Sequence, residues 1–231
     1  MYPKNEHARR LIAALRPKNP HHCIVRVEGD VDDAMAARIV ADLAAAPRAN
    51  TLTVFVNSPG GDLRAGQRIH KAIRNHPARR KLAYGFGNVA SAAALVFTAA
   101  DVRRLYPDTV VLLHAVALEP TSGERWTQAA YAAHAATLAA LDESVAVTMA
   151  ERLGVPVGRV LARMADERPT PLIEALSIGF AHEVVGQSPP LQKAWPAHAR
   201  AAFAKADRFT HGANGRCYSP GFLAACAIGG K

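Results

Sequence analysis

The chain has few cysteines, few aromatics, no long apolar run and a shortage of acid, and each scarcity narrows what it does. Its three cysteines, Cys23, Cys217 and Cys226, are odd in number and show neither Cys-x-x-Cys spacing nor a matching histidine motif. Neither a disulfide framework nor a zinc site is indicated, and a reducing cytoplasm fits best. The most apolar interior stretch, Val89 to Ala100, falls short of the ~20 residues needed to cross a bilayer. Near the amino terminus the run Leu11 to Leu15 is too short for a signal segment and gives way to Arg16-Pro17-Lys18, so a soluble, unprocessed protein is expected. Aromatic residues make up only 6% of the chain, and its 28 Lys and Arg outnumber 19 Asp and Glu for a formal charge of +9. The basic residues are scattered, clustering at Arg9-Arg10, Arg79-Arg80-Lys81 and Arg103-Arg104. With so few aromatics among them they read as a solvated face, and nucleic acid is an unlikely partner.

What is present suits a globular protein. At 231 residues and 50% hydrophobic content the chain can bury one proper core. Residues 1–22 read as a basic arm, 23–186 as the folded domain and 187–231, with Pro189-Pro190 and Gly229-Gly230, as a peripheral tail. Within the domain, strands and helices alternate: strand 23–27, helix 32–46, strand 52–56, helix 63–75, strand 82–86, helix 91–100 and strand 110–113. Such alternation predicts an α/β fold of βαβ crossovers around a parallel sheet. The run Thr127 to Leu153 then predicts one long helix ended by Gly154, longer than a small domain needs to cover itself, so part of it should meet another subunit.

Two segments carry chemistry. Asn57-Ser58-Pro59-Gly60-Gly61-Asp62 breaks the strand Leu52 to Val56, and its glycines permit positive φ and close approach to a bound group. Some thirty residues later Ser91 stands at the start of the small-residue run Ala92 to Ala100, beside the unpaired amides of a helix start. A serine hydroxyl needs a base, and His114, closing the apolar strand Val110 to Leu113, is the best-placed histidine. Gly61, Ser91 and His114 each follow a strand by a few residues, so one edge of a parallel sheet can gather them. Taken singly they are a turn, a helix cap and a core histidine, and their joint order favours catalysis. No site for a metal or cofactor is indicated.

This set of motifs resembles the proteolytic subunit of the Clp protease family across residues 23–186. The family's Asn-Ser-Pro-Gly-Gly stands at Asn57 to Gly61, its serine motif at Val89-Ala90-Ser91-Ala92-Ala93-Ala94, and its histidine at Leu112-Leu113-His114. Its Glu-Ala-x-x-x-Gly stretch stands at Glu174 to Gly179, and Thr127 to Leu153 resembles its handle helix. The resemblance implies a crotonase-like, ClpP-like spiral of βαβ units with a protruding handle. It also implies peptide-bond hydrolysis through an acyl-enzyme, with Ser91 as nucleophile, His114 as base and the amides of Gly61 and Ala92 as oxyanion hole. Unfolded proteins would be the substrate, in a homo-oligomer of heptameric rings, possibly stacked and fed by an AAA+ unfoldase. The third triad member is Glu167 by spacing from Gly179 or Asp166 by side-chain chemistry. The chain departs from the family at Ala115-Val116, where Gln-Pro is usual, at Asp62, where a small or aliphatic residue is common, and at Arg168-Pro169, where Arg-aromatic is usual. Two other functions compete: a catalytically silent ring subunit paired with an active paralogue, and a crotonase-type acyl-CoA enzyme.

Overall fold

The computed structural model describes residues 21–117 and 127–185. The greater part of the basic arm, the tail from residue 187, and Cys217 and Cys226 lie outside these residues. The element order is β1 (His22–Glu28), α1 (Asp33–Ala44), β2 (Thr51–Ser58), α2 (Leu63–Asn75), β3 (Arg80–Ala90), α3 (Ala92–Thr98), β4 (Val102–Leu105), β5 (Val110–Leu112), α4 (Gln128–Leu153), α5 (Val157–Asp166), α6 (Leu172–Ser177) and β6 (Glu183–Val184). All strand pairings are parallel, in the order β1-β2-β3-β4-β6, with β5 on β3. The expected βαβ alternation is therefore present. Leu52 to Phe55 are buried without a break, as befits a parallel strand covered on both faces. On one face Val25, Val54, Val56, Ile39, Ile69 and Leu95 belong to the main core; Phe55, Phe86 and Tyr106 form a smaller aromatic cluster apart from it.

Two strands escape the sequence pattern. β4 contains Arg103-Arg104, a pair that reads as solvated basic surface, yet Arg103 is only 2% exposed. Its guanidinium donates to the carbonyls of Ala100, Gly179, Phe180 and Arg152 at 2.7 to 3.3 Å. A buried charge is tolerable when its donors are met in this way. β6, at two residues, is too short to leave a periodic signal.

β3 is longer than its apolar core suggests and serves two neighbours. Leu82 to Gly85 pair with Val102 to Leu105 of β4, whereas Asn88 to Ala90 pair with Val110 to Leu112 of β5. The change comes at Gly87, whose φ of 63° suits glycine. A Cβ there would strike the side chain of Asn57, whose Oδ1 accepts from Asn88 N–H at 3.0 Å. This bend lets the second half of β3 aim at the candidate site while the first half stays in the main sheet.

α4 is 26 residues long, about 39 Å at helical rise. Thr127 caps its start by accepting from Ala130 N–H, and Gly154, at φ 70°, ends it in the left-handed conformation. Only its second half is buried, through Val145, Ala146, Met149, Ala150 and Leu153. The first half, rich in alanine and carrying Tyr131 at 61% exposure, is mostly exposed. Among the described residues no helix is long and apolar enough to cross a membrane.

Candidate active site

The carboxyl ends of β2, β3 and β5 lie side by side because the strands are parallel, and each is followed by a candidate residue. After β2 the chain turns at Gly60 and Gly61, both at positive φ, 102° and 140°. A Cβ on Gly60 would collide with the Ser91 side chain, and one on Gly61 with the Val31 backbone. Val31 pairs with this turn through Val31 N–H to Gly60 O and Asp62 N–H to Val31 O, each 2.7 Å. That pattern uses the groups on either side of Gly61 and leaves the Gly61 N–H outside the bridge. Asp62 caps α2, accepting from Ala65 N–H at 2.7 Å. Its departure from the family pattern thus has a structural use, since a carboxylate suits a helix start.

After β3, Ser91 adopts φ 54° and ψ −129° and leads into α3 without bonding its hydroxyl to the helix start. A side chain in this sparsely populated region is strained, and a sharp strand-to-helix turn of this kind presents the oxygen outward. Ser91 N–H donates to Leu112 O at 2.9 Å. Ala92, as the first residue of α3, has no intrahelical acceptor for its N–H.

After β5 comes His114, half-buried, with Nδ1 2.7 Å from the Ala115 carbonyl oxygen. A carbonyl can only accept, so Nδ1 carries a proton, and in the neutral ring Nε2 keeps its lone pair. Gly61, Ser91, Ala92 and His114 line one cleft of about 590 Å3, closed on other sides by Leu95, Leu141, Val145, Met149 and Met164. The four residues that the sequence nominated are therefore brought together, beside an apolar wall.

The two candidate acids are placed differently. The loop carrying them is tied to β5, because Thr170 N–H donates to Val111 O at 2.7 Å. Asp166, however, lies 2.5 Å from Arg163 and 2.7 Å from Arg168. The hydrogen bond from Arg168, aided by Arg163, holds its carboxyl below the usual range. Glu167 is exposed in the left-handed conformation, φ 51°, just after α5. Neither is hydrogen-bonded to His114, whose Nδ1 is taken by Ala115 O. One carboxylate that sequence reasoning missed does reach this region: Asp142 of α4 accepts from Val116 N–H at 2.6 Å. The signal was present, since valine at 116 supplies a donor that proline lacks.

Other histidines have local duties. His182 Nδ1 accepts from Arg103 N–H, and His76 bridges Ala46 O and Ala78 N–H. No cluster able to hold a metal ion occurs among the described residues.

The order of these motifs agrees with a family-wide pattern: the Clp protease family model matches residues 13–188. The chain belongs to the Clp protease family. Among curated members it is 40% identical over 103 residues to the ATP-dependent Clp protease proteolytic subunit 2 of Pseudomonas aeruginosa, a match covering 43% of this chain and 49% of that protein. The chain thus spans about half the length of that relative. It is 30% identical over 166 residues to the proteolytic subunit of Paracoccus denitrificans, covering 70% of this chain and 80% of the relative. A solved ClpP1 point mutant from Listeria monocytogenes superposes with a TM-score of 0.62 at 22% identity, covering 80% of this chain and 99% of that one. The Clp protease fold, a ClpP-like member of the crotonase-like class, is therefore the fold of this chain.

Proposed function

We propose that this Clp family member is a serine endopeptidase subunit that cleaves unfolded protein chains inside an oligomeric chamber. The observation that carries the reading is the convergence of Gly61, Ser91, Ala92 and His114 on one cleft at the carboxyl ends of three parallel strands. Ser91 Oγ attacks the peptide carbonyl carbon while His114 Nε2 takes its proton. The tetrahedral oxyanion is held by Gly61 N–H and Ala92 N–H, each such donor being worth on the order of 3 kcal/mol in the transition state. His114 then passes the proton to the leaving amine, and water attacks the acyl-serine by the same route in reverse. The acid belongs to the Asp166-Glu167 pair, and the loop must turn from Arg163 and Arg168 for either to share the Nδ1 proton with Ala115 O.

The exposed first half of α4 supports a homo-oligomer of stacked heptameric rings, and an AAA+ unfoldase would supply the substrate. A cytoplasmic site suits Cys23, which is buried and unbridged. The arrangement around Nδ1 favours one second reading, a silent ring subunit paired with an active paralogue. The crotonase-type acyl-CoA reading is weaker: among the described residues the cleft's one carboxylate, Asp62, is committed to capping α2.

Labelling by a fluorophosphonate probe tests the choice. An active peptidase labels as wild type and fails as Ser91→Ala and His114→Ala. A correctly assembled wild type that does not label would establish the silent subunit instead.

A further inference from the structure

One peptide unit, Ala115–Val116, carries both contacts that surround His114. Its carbonyl oxygen lies 2.7 Å from His114 Nδ1, and its N–H donates to Asp142 Oδ1 at 2.6 Å. Because the peptide is planar and rigid, fixing the N–H fixes the direction of the C=O. Asp142 lies on α4, and its carboxylate makes a short, charge-assisted bond that a neutral acceptor would make less firmly. The contact exists only because residue 116 has an N–H. With the proline common in the family at this position there would be nothing for Asp142 to hold.

We propose that Asp142 is a positioning residue for His114, holding the Ala115–Val116 peptide so that its carbonyl aligns the imidazole with Nε2 toward Ser91. The catalytic consequence rests on the peptidase reading, whereas the alignment itself does not. Asp142 touches no reacting atom and acts through the peptide.

The test uses the full-length assembled protein with 15N-labelled histidine, the His114 signals being assigned by His114→Gln. Four variants are compared: Asp142→Ala, Asp142→Asn, Val116→Pro and the double variant Asp142→Ala/Val116→Pro. Wild type should show the Nδ1–H tautomer, and Asp142→Ala a mixture of tautomers. Asp142→Asn keeps an oxygen acceptor and should restore the wild-type tautomer. Fluorophosphonate labelling should slow by roughly tenfold to a hundredfold in Asp142→Ala, the scale expected when a catalytic group is slightly misplaced. Val116→Pro should match it, and the double variant should be no slower than either single one, because both changes remove the same bond. An unchanged tautomer in Asp142→Ala, or losses that multiply in the double variant, would overturn the proposal. If wild type does not label, the peptidase reading fails, and the tautomer comparison still decides the role of Asp142.

Discussion

Ser91 N–H and Leu112 O are joined at 2.9 Å, so the proposed nucleophile is tied through backbone alone to the last residue of β5, two before His114. Replacing the Ser91 side chain should therefore abolish chemistry without loosening the site. The backbone itself is under strain at φ 54°, ψ −129°. Relative to Ser91→Ala, Ser91→Gly should unfold at higher denaturant, by about 1 kcal/mol, since relief of strain exceeds the added unfolded-state entropy. Urea titration of the two inactive variants measures it, and equal midpoints would mean that the strain relieved is no larger than the added unfolded-state entropy.

Gly60→Ala is expected to be costly for both stability and activity. Its new Cβ would meet the Ser91 side chain at a φ of 102°. A loss of about 2–3 kcal/mol is expected from strain and overlap together, with labelling of Ser91 reduced at least a hundredfold. Circular dichroism melts beside probe labelling report the two effects separately.

Acid should weaken the fold through His70. It is buried in α2, and desolvation, then the charges of Arg152 and Arg74, push its pKa down to about 4 from 6.5. The folded state thus binds a proton less readily than the unfolded chain. This contribution is complete above about pH 6.5 and is lost as pH falls from there towards 4, on the order of 3 kcal/mol in all. In His70→Gln the decline across that window should be shallower, as measured by denaturant midpoints at a series of pH values. An identical slope would remove His70 as its cause.

Arg103→Leu should destabilise by about 3 kcal/mol or more. It strips the donors from the carbonyls of Gly179, Phe180 and Arg152 and leaves Ala100 O only its bond from Arg152, so buried acceptors go unmet. Arg103→Lys should recover only part, because one ammonium cannot reproduce the planar fork. Thermal melts of both variants check the order.

Ala132→Glu with Ala136→Glu places charge on the exposed half of α4. The mass by light scattering should fall to a smaller assembly while the thermal melt of the domain stays cooperative. An unchanged mass would move the interface away from this half of the helix.

Much of the fold was legible because parallel strands leave blunt apolar runs and their crossovers leave helical ones. β2, α2 and α4 stand almost where the periodicity puts them, and Thr127 and Gly154 mark the ends of α4 by simple capping chemistry. β4 was hidden because charge in a sequence reports ionisation, whereas the burial of Arg103 depends on carbonyls some 77 residues away. At the site, residues delivered by strand ends were readable, since strand order and direction suffice to gather Gly61, Ser91 and His114. The side chains beside His114 were not. Whether Asp166 faces a histidine or two arginines is decided by rotamers, and Asp142 reaches Val116 only through the path of a helix that enters after the strands are complete.

The glycine contacts divide the cleft into a fixed half and an adjustable half. Gly60 leaves no room between the oxyanion turn and Ser91, and Gly66 brings α2 within 3.0 Å of the Ala92 side chain for any added Cβ. Turn, serine and helix start therefore move as one block. Among the described residues, the segment that carries His114 is fastened by the Asp142 carboxylate at Val116 N–H. In the proposed peptidase, loss of the Asp142 contact would therefore disturb His114 before it disturbed Ser91.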